Sequence, residues 1–152
     1  MPEDLIIENG APSGAAALAR GISRYFATRG AACLLEFSLK SGRRADIMAL
    51  DRQGAFTIVE IKLSRADFQS DRKWPEYLDY CDRFFFAVEP GFPVEILPED
   101  CGLIVADAYD AEVVRDSAIC SLNGSRRRHL TLRFARAAGQ RVMRSLDPGL
   151  AL

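Results

Sequence analysis

Apolar positions along the chain change period several times, and each change marks an element. Met1 to Pro12 reads as a loose or strand-like lead-in. Leu18, Ile22 and Tyr25/Phe26 then recur at helical spacing, with Ser13 placed to cap the helix and Gly30 to stop it. CLLEFSLK alternates: Leu35, Phe37 and Leu39 point one way, Leu34, Glu36 and Ser38 the other. After a turn at Ser41-Gly42, RADIMAL forms a second strand and AFTIVEIKL a third. Asp51-Arg52-Gln53-Gly54 between them reads as a hairpin turn. SRADFQSDRKW follows as a helix, opened by a capping-box-like Ser64 and Asp67. Pro75 interrupts that helix or opens its second piece, PEYLDYCD. RFFFAV is a short apolar strand of the kind covered on both faces, and GLIVADAY is another apolar strand. Between them GFPVEILPEDC is a Pro-rich connection with one helical turn, and AEVVRDS reads as an edge strand. Asn123-Gly124 is a turn, and a basic helix closes the chain from about Arg127 to Leu146, ahead of Pro148-Gly149.

This order is helix, three strands with a hairpin, helix, strands, helix. It predicts an α/β sandwich with a mixed central sheet. The length of 152 residues suits a single domain over 1–152, and a hydrophobic content of 49% supplies a core. Twenty Lys and Arg balance twenty-one Asp and Glu, so only the distribution of charge points to partners. No apolar run is long enough to span a bilayer, and MPEDLIIENG lacks the layout of a secretory signal. A cytoplasmic protein with no membrane partner is expected. Cys33, Cys81, Cys101 and Cys120 form no C-x-x-C pair and fit buried small hydrophobes. His129 is the one histidine, which excludes His-rich metal sites.

The second and third strands carry charge where a core strand should not. Folding the hairpin about its turn sets Asp46 opposite Val59 or Glu60, and one residue of register decides which. Glu60 and Lys62 are two apart on one strand and share a face. If Asp46 meets Glu60, two carboxylates and one amine form a patch among Ile58, Val59, Ile61 and Leu63. Facing carboxylates repel unless a cation lies between them. A hard divalent ion such as Mg2+ (or Mn2+) takes oxygen ligands, here Asp46, Glu60 and the Ile61 carbonyl. Lys62 would then stand beside a metal-bound water and help neutralise charge. The other reading is a cross-strand ion pair of Lys62 with Glu60 or Asp46, contributing about 0–1 kcal/mol if exposed.

D-x(13)-E-x-K, followed by a helix and an apolar strand, resembles the PD-(D/E)XK nuclease superfamily. Its core has the order seen from Ser13 to Val88. The stretch VEIKLSRADFQSDRKWPEYLDYCDRFFFAV resembles the MmcB-like family of DNA-repair proteins, over most of the chain. The resemblance implies a restriction-endonuclease-like sandwich with a three-strand meander flanked by helices. It also implies Asp46 and Glu60 as metal ligands, Lys62 as catalytic lysine, and a metal-dependent nuclease acting on DNA in repair. Members of the superfamily often carry a Glu on the first helix, but Ala15 to Arg29 contains no acid; Glu36 is a candidate substitute. Relatives use a Gln, Lys or Tyr of the helix after the site, which nominates Lys73 and Tyr77. In that helix Gln69 aligns with Lys73, Asp67 reads as a cap and Asp71 as solvated, while Trp74, Leu78 and Cys81 face the sheet.

SRRRHLTLRFARAAGQRVMRSL holds seven arginines and no acid. On a wheel Arg126, Arg133 and Arg144 group together, flanked by Arg136 and Arg141, with Leu132, Ala135, Val142, Met143 and Leu146 opposite. The reading is an arginine stripe turned outward to phosphates, giving salt-dependent DNA contact. Two further readings stand beside the nuclease: a non-catalytic nucleic-acid- or protein-binding module on the same fold, and a structural adaptor with no nucleic acid; a protein partner in a repair complex is expected as well.

Overall fold

The computed structural model describes residues 13–152, so the lead-in at Met1 to Pro12 lies outside the described residues. Helix α1 spans Gly14–Thr28. Ser13 occupies its N-cap position with extended backbone, yet its side chain makes no cap bond, contrary to expectation. At the other end Gly30 takes φ +78°, a left-handed conformation that suits glycine. There the Gly30 and Ala31 N–H groups close on the carbonyls of Ala27 and Phe26.

Six strands follow: β1 (Ala32–Ser38), β2 (Arg44–Leu50), β3 (Phe56–Ile61), β4 (Arg83–Val88), β5 (Gly102–Ala106) and β6 (Ala111–Arg115). They form one sheet in chain order, β1 to β6. β1, β2 and β3 make the antiparallel meander, β3–β4 and β4–β5 are parallel, and β6 returns antiparallel as the far edge. The mixed sheet therefore matches the expected order, including the edge strand. The β2–β3 turn is tied by Asp51, whose side chain accepts from Gln53 and Ala55 N–H, while Gly54 takes φ +87°.

Between β3 and β4, helix α2 covers only Arg65–Ser70, and a 3-10 helix runs Trp74–Tyr80. The expected helix through Trp74 stops early for a local reason. Asp71 turns to extended backbone, and its side-chain oxygen accepts from the N–H groups of Lys73 and Trp74. A side chain that binds the following N–H groups competes with the helical ladder. Gln69 and Lys73 therefore share no helix face.

Each sheet face has its own cover. Leu18, Ala19 and Ile22 of α1 pack on Ile47, Val59, Ile61, Phe85, Ala87, Ile104 and Ala106. Burying each such side chain contributes roughly 1.5–3 kcal/mol. Gly21 lets α1 approach the β5–β6 turn: a Cβ there would lie 1.9 Å from the Asp107 carbonyl oxygen. On the opposite face Trp74 stacks on Phe84 at 5.7 Å and meets Phe86 edge-on at 5.2 Å, and Phe68 meets Phe86 at 5.4 Å. Cys81 is buried as expected, whereas Leu78, expected against the sheet, is exposed, and so is Leu35. All four cysteines are free thiols, but Cys120 is exposed rather than buried.

A second compact unit comprises Leu122–Leu152. Its helix α3 spans Gly124–Leu146, beginning earlier than the expected Arg127. Asn123 acts as N-cap, its side chain accepting from the Arg126 N–H at 2.8 Å, so Asn123-Gly124 opens the helix and is not a separate turn. No described helix is long and apolar enough to cross a membrane.

Candidate active site

The hairpin register decides where the charges fall. Leu50 pairs with Phe56, Met48 with Ile58 and Ile47 with Val59. Continued by one residue, this register sets Asp46 opposite Glu60 and not Val59. Ile47, Val59 and Ile61 pack on the α1 side. By alternation Asp46, Glu60 and Lys62 point to the other face, the one covered by α2 and the 3-10 helix. Glu60 and Lys62 are each 5% exposed, so the exposed surface pair considered from the sequence does not form.

The backbone departs from regular pairing at this point. Between β1 and β2 the ladder passes from Leu35–Ile47 to Phe37–Ala45 and skips Glu36 and Asp46. Glu36 has φ +50°, the one positive φ at a non-glycine among the described residues. Such a conformation costs on the order of 1–3 kcal/mol and persists where the surroundings enforce it. Here the carboxylates bond to the strands themselves. The Asp46 N–H donates to Glu60 Oε1 at 2.9 Å, and the Ile61 N–H donates to Asp46 Oδ2 at 2.8 Å.

Burial and proximity set the protonation. Desolvation, followed by the charge of Asp46, pushes the Glu60 carboxyl up to about 8. Desolvation also raises Asp46, outweighing its bond from Ile61 and the charge of Lys62. With its carboxyl raised that far, Glu60 keeps its proton near neutral pH. The Lys62 ammonium is bound elsewhere: its Nζ lies 2.7 Å from Asp71 Oδ2, with side-chain exposures of 6% and 18%. Burial acts to raise Asp71, but the bonds from Lys62 and from the Lys73 N–H win and hold it below the ordinary value.

Asp71, expected to be solvated, is thus the residue that the sequence reading undervalued. Its signal was a D-x-K-W run at a helix end, where Asp commonly binds the next N–H groups. Asp67 caps as expected: Ser64 Oγ accepts from the Asp67 N–H at 3.1 Å, and Asp67 Oδ2 accepts from the Leu63 N–H at 3.0 Å. Tyr77 is buried, donates its hydroxyl to the Arg44 carbonyl at 2.9 Å, and has its pKa raised by burial and by the charges of Glu60, Asp46 and Asp71. It therefore stands within the field of the acids. Lys73 is exposed at the start of the 3-10 helix. Glu36 is exposed and faces Arg44 at 3.9 Å. The main charges acting on Glu60 are those of Asp46, Lys62 and Asp71, and on Asp46 those of Lys62 and Asp67.

Among the described residues no group of three or more His, Cys, Asp and Glu side chains is arranged to hold a metal ion. Two facing carboxylates still fit a hard cation by their chemistry, because its charge would favour the ionised forms that burial disfavours. Magnesium commonly uses only one or two protein carboxylates, with water and phosphate for the rest. Ile61 gives its N–H to Asp46, and its carbonyl lies on the same strand edge.

On α3 the buried positions are Leu130 and Phe134. Leu132, Val142, Met143 and Leu146, expected to turn inward, are exposed at 57%, 58%, 46% and 81%. By helical spacing Leu130 and Phe134 lie on the arc of Arg126, Arg133 and Arg141, while Arg136 lies beside Leu132 and Met143. The expected sorting, arginines out and apolar arc in, is therefore corrected. The helix carries both kinds of side chain on its exposed side.

An α/β protein with a six-stranded mixed sheet, flanked by helices and compatible with a restriction-endonuclease-like fold, is the class that these features define. The chain belongs to the MmcB-like family of DNA repair proteins, whose model matches residues 3–149. Among solved structures it is similar to the SPO1766 protein of unknown function from Silicibacter pomeroyi. That similarity has 44% identity and a TM-score of 0.85, covering 89% of this chain and 93% of the other. No curated protein matches it.

Proposed function

We propose that this chain is a metal-dependent, nuclease-like protein of the cytoplasm that acts on DNA phosphodiester bonds in repair. The observation that carries the reading is the meeting of Asp46, Glu60 and Lys62 on one buried sheet face, with both acids raised by burial and Glu60 raised further by the charge of Asp46. Family membership supports the repair context and DNA as the partner. Asp46, Glu60 and the Ile61 carbonyl would hold Mg2+ or Mn2+. A divalent ion bound there supplies a charge that polarises a phosphoryl oxygen and lowers the pKa of a water.

The rest falls to side chains of this chain. Glu60 and Asp46 keep their geometry through the two bonds to opposing backbone. The Lys62 ammonium orients the attacking water and offsets charge that develops on the phosphate. Tyr77 fixes the start of β2 through the Arg44 carbonyl. Lys73, exposed beside Asp71, contacts the phosphate from the rim. Arg136 and Arg144, exposed on α3, and the half-buried Arg126, Arg133 and Arg141 supply phosphate contacts to DNA.

The test is cleavage of plasmid and single-stranded DNA with Mg2+ or Mn2+, comparing wild type with Lys62→Ala and Glu60→Gln. Metal-dependent cutting lost in both variants supports the proposal. No cutting by wild type, or cutting that survives both changes, overturns it. A second reading, a non-catalytic binding module working with a protein partner, is favoured by the absence of any acid on α1 and by the Asp71 partner of Lys62. It gives salt-sensitive DNA retention without cleavage, weakened by Arg133→Ala and Arg144→Ala and indifferent to Asp46.

A further inference from the structure

We infer that Asp71 is a positioning residue that holds the Lys62 ammonium off the Asp46–Glu60 pair and so keeps the two carboxylates open to a cation; this rests on the proposed function. A lysine carries four rotatable carbons and about 2 kcal/mol of rotamer entropy, so a buried ammonium goes to the nearest anion. Three acids compete for Lys62, since Asp46, Glu60 and Asp71 all act on one face. Asp71 takes the direct bond, at 2.7 Å.

Asp71 is itself immobile. Its Oδ1 accepts from the N–H groups of Lys73 at 2.9 Å and Trp74 at 3.2 Å, and the Trp74 ring is clamped by Phe84 and Phe86. The other nearby acid, Asp67, is committed to the Leu63 N–H. Asp71 is thus anchored through Oδ1 by two backbone N–H groups, which aims Oδ2 at the Lys62 amine. Without its charge, Lys62 swings onto Glu60 and Asp46 and forms the internal ion pair that a cation would have to break.

The test uses the full chain as wild type, Asp71→Asn, and Asp71→Asn combined with Lys62→Met. Asparagine keeps the oxygen that accepts from Lys73 and Trp74 and removes only the charge. Crystal structures without added metal should show the Lys62 amine displaced from residue 71 to the Asp46–Glu60 carboxylates in the single variant. Titration calorimetry with Mn2+ should show affinity lowered on the order of tenfold in the single variant and regained in the double variant. Regain on removing the lysine is a result that a merely structural role for Asp71 does not give. A Lys62 amine that stays in place, or an affinity that Asp71→Asn leaves unchanged, overturns the inference. If wild type binds no Mn2+, the proposed metal site fails, and the amine position alone decides for or against Asp71. Should Asp71→Asn not fold, Asp71→Ser, which retains an acceptor, carries the same comparison.

Discussion

Asp46 and Glu60 each use a carboxylate oxygen to hold the other strand's backbone: Glu60 takes the Asp46 N–H at 2.9 Å, and Asp46 takes the Ile61 N–H at 2.8 Å. The same two groups that would receive a cation therefore also close the open end of the β2–β3 hairpin. Their chemistry and their structural part come from one arrangement.

Glu60→Gln should stabilise the metal-free protein at alkaline pH and flatten its pH dependence. Folding moves the Glu60 carboxyl from its ordinary 4.5 to about 8. Between those values the folded chain keeps a proton that the unfolded chain has released, so raising the pH favours unfolding. The stability of wild type should fall from pH 5 to pH 8 by on the order of a few kcal/mol and level off above that. Asp46, shifted in the same direction, adds to the fall. Gln keeps the acceptor for Asp46 and does not titrate. Urea unfolding across this range checks both curves; a wild-type stability that climbs with pH would contradict the raised Glu60 carboxyl.

Under the proposed function, Mn2+ or Mg2+ should raise the melting temperature of wild type but not of Glu60→Gln. Mass action gives about 2.7 kcal/mol at a hundredfold excess over Kd. The ion competes with the proton held by Glu60, so the stabilisation should grow as pH rises toward 8. Differential scanning fluorimetry at several pH values reads this directly, and equal shifts in both proteins would place the ion elsewhere.

Gly21→Ala should be among the most damaging small substitutions in the chain. The added methyl would lie 1.9 Å from the Asp107 carbonyl oxygen and 2.7 Å from that of Asp110, both backbone. Neither can yield without moving α1 off the sheet. A loss of about 2–3 kcal/mol is expected from overpacking. Urea titration with an unchanged m-value is the check, and a loss below the experimental error would mean that the turn moves aside freely.

Asp82→Ala should destabilise through hydrogen bonding rather than charge at the surface. Asp82 is buried at the entry to β4, and its carboxylate accepts from the Phe56 N–H at 2.7 Å. Removing it leaves a buried donor at the start of β3, at a cost of about 1–3 kcal/mol. Asp82→Asn, which can still accept, should recover part of the loss. Amide exchange at Phe56 should speed up in the alanine variant and less so in the asparagine variant.

Much of this architecture was legible because period-2 alternation in RADIMAL and AFTIVEIKL, with the Asp51–Gly54 turn between them, leaves little choice of pairing. The face of Glu60 and Lys62 followed from alternation alone. The register did not, since Asp46 could meet Val59 or Glu60 until the Asp51–Ala55 closure of the turn was known. Helix α2 was drawn too long because its pattern runs on to Trp74, while Asp71 ends it through bonds that no period reports. The position of Glu36 at φ +50° was illegible for the same reason: glutamate rarely adopts it, and only the tertiary setting enforces it. Wheel geometry on α3 grouped the arginines correctly but assigned the wrong arc to solvent, because Leu130 and Phe134 outweigh the smaller and later apolar residues.

The crossed bonds at the hairpin mouth also bear on how null alleles should be chosen. Alanine at Asp46 or Glu60 abolishes a candidate ligand and unlatches two strands at once, so a silent complementation assay with either could report a misfolded chain. Lys62 offers a cleaner knockout. Its backbone N–H is secured by the Ala87 carbonyl at 2.9 Å whatever its side chain, so truncation removes the ion pair with Asp71 but no bond between strands. A phenotype that tracks Lys62→Ala at normal protein abundance would then speak for lost chemistry alone.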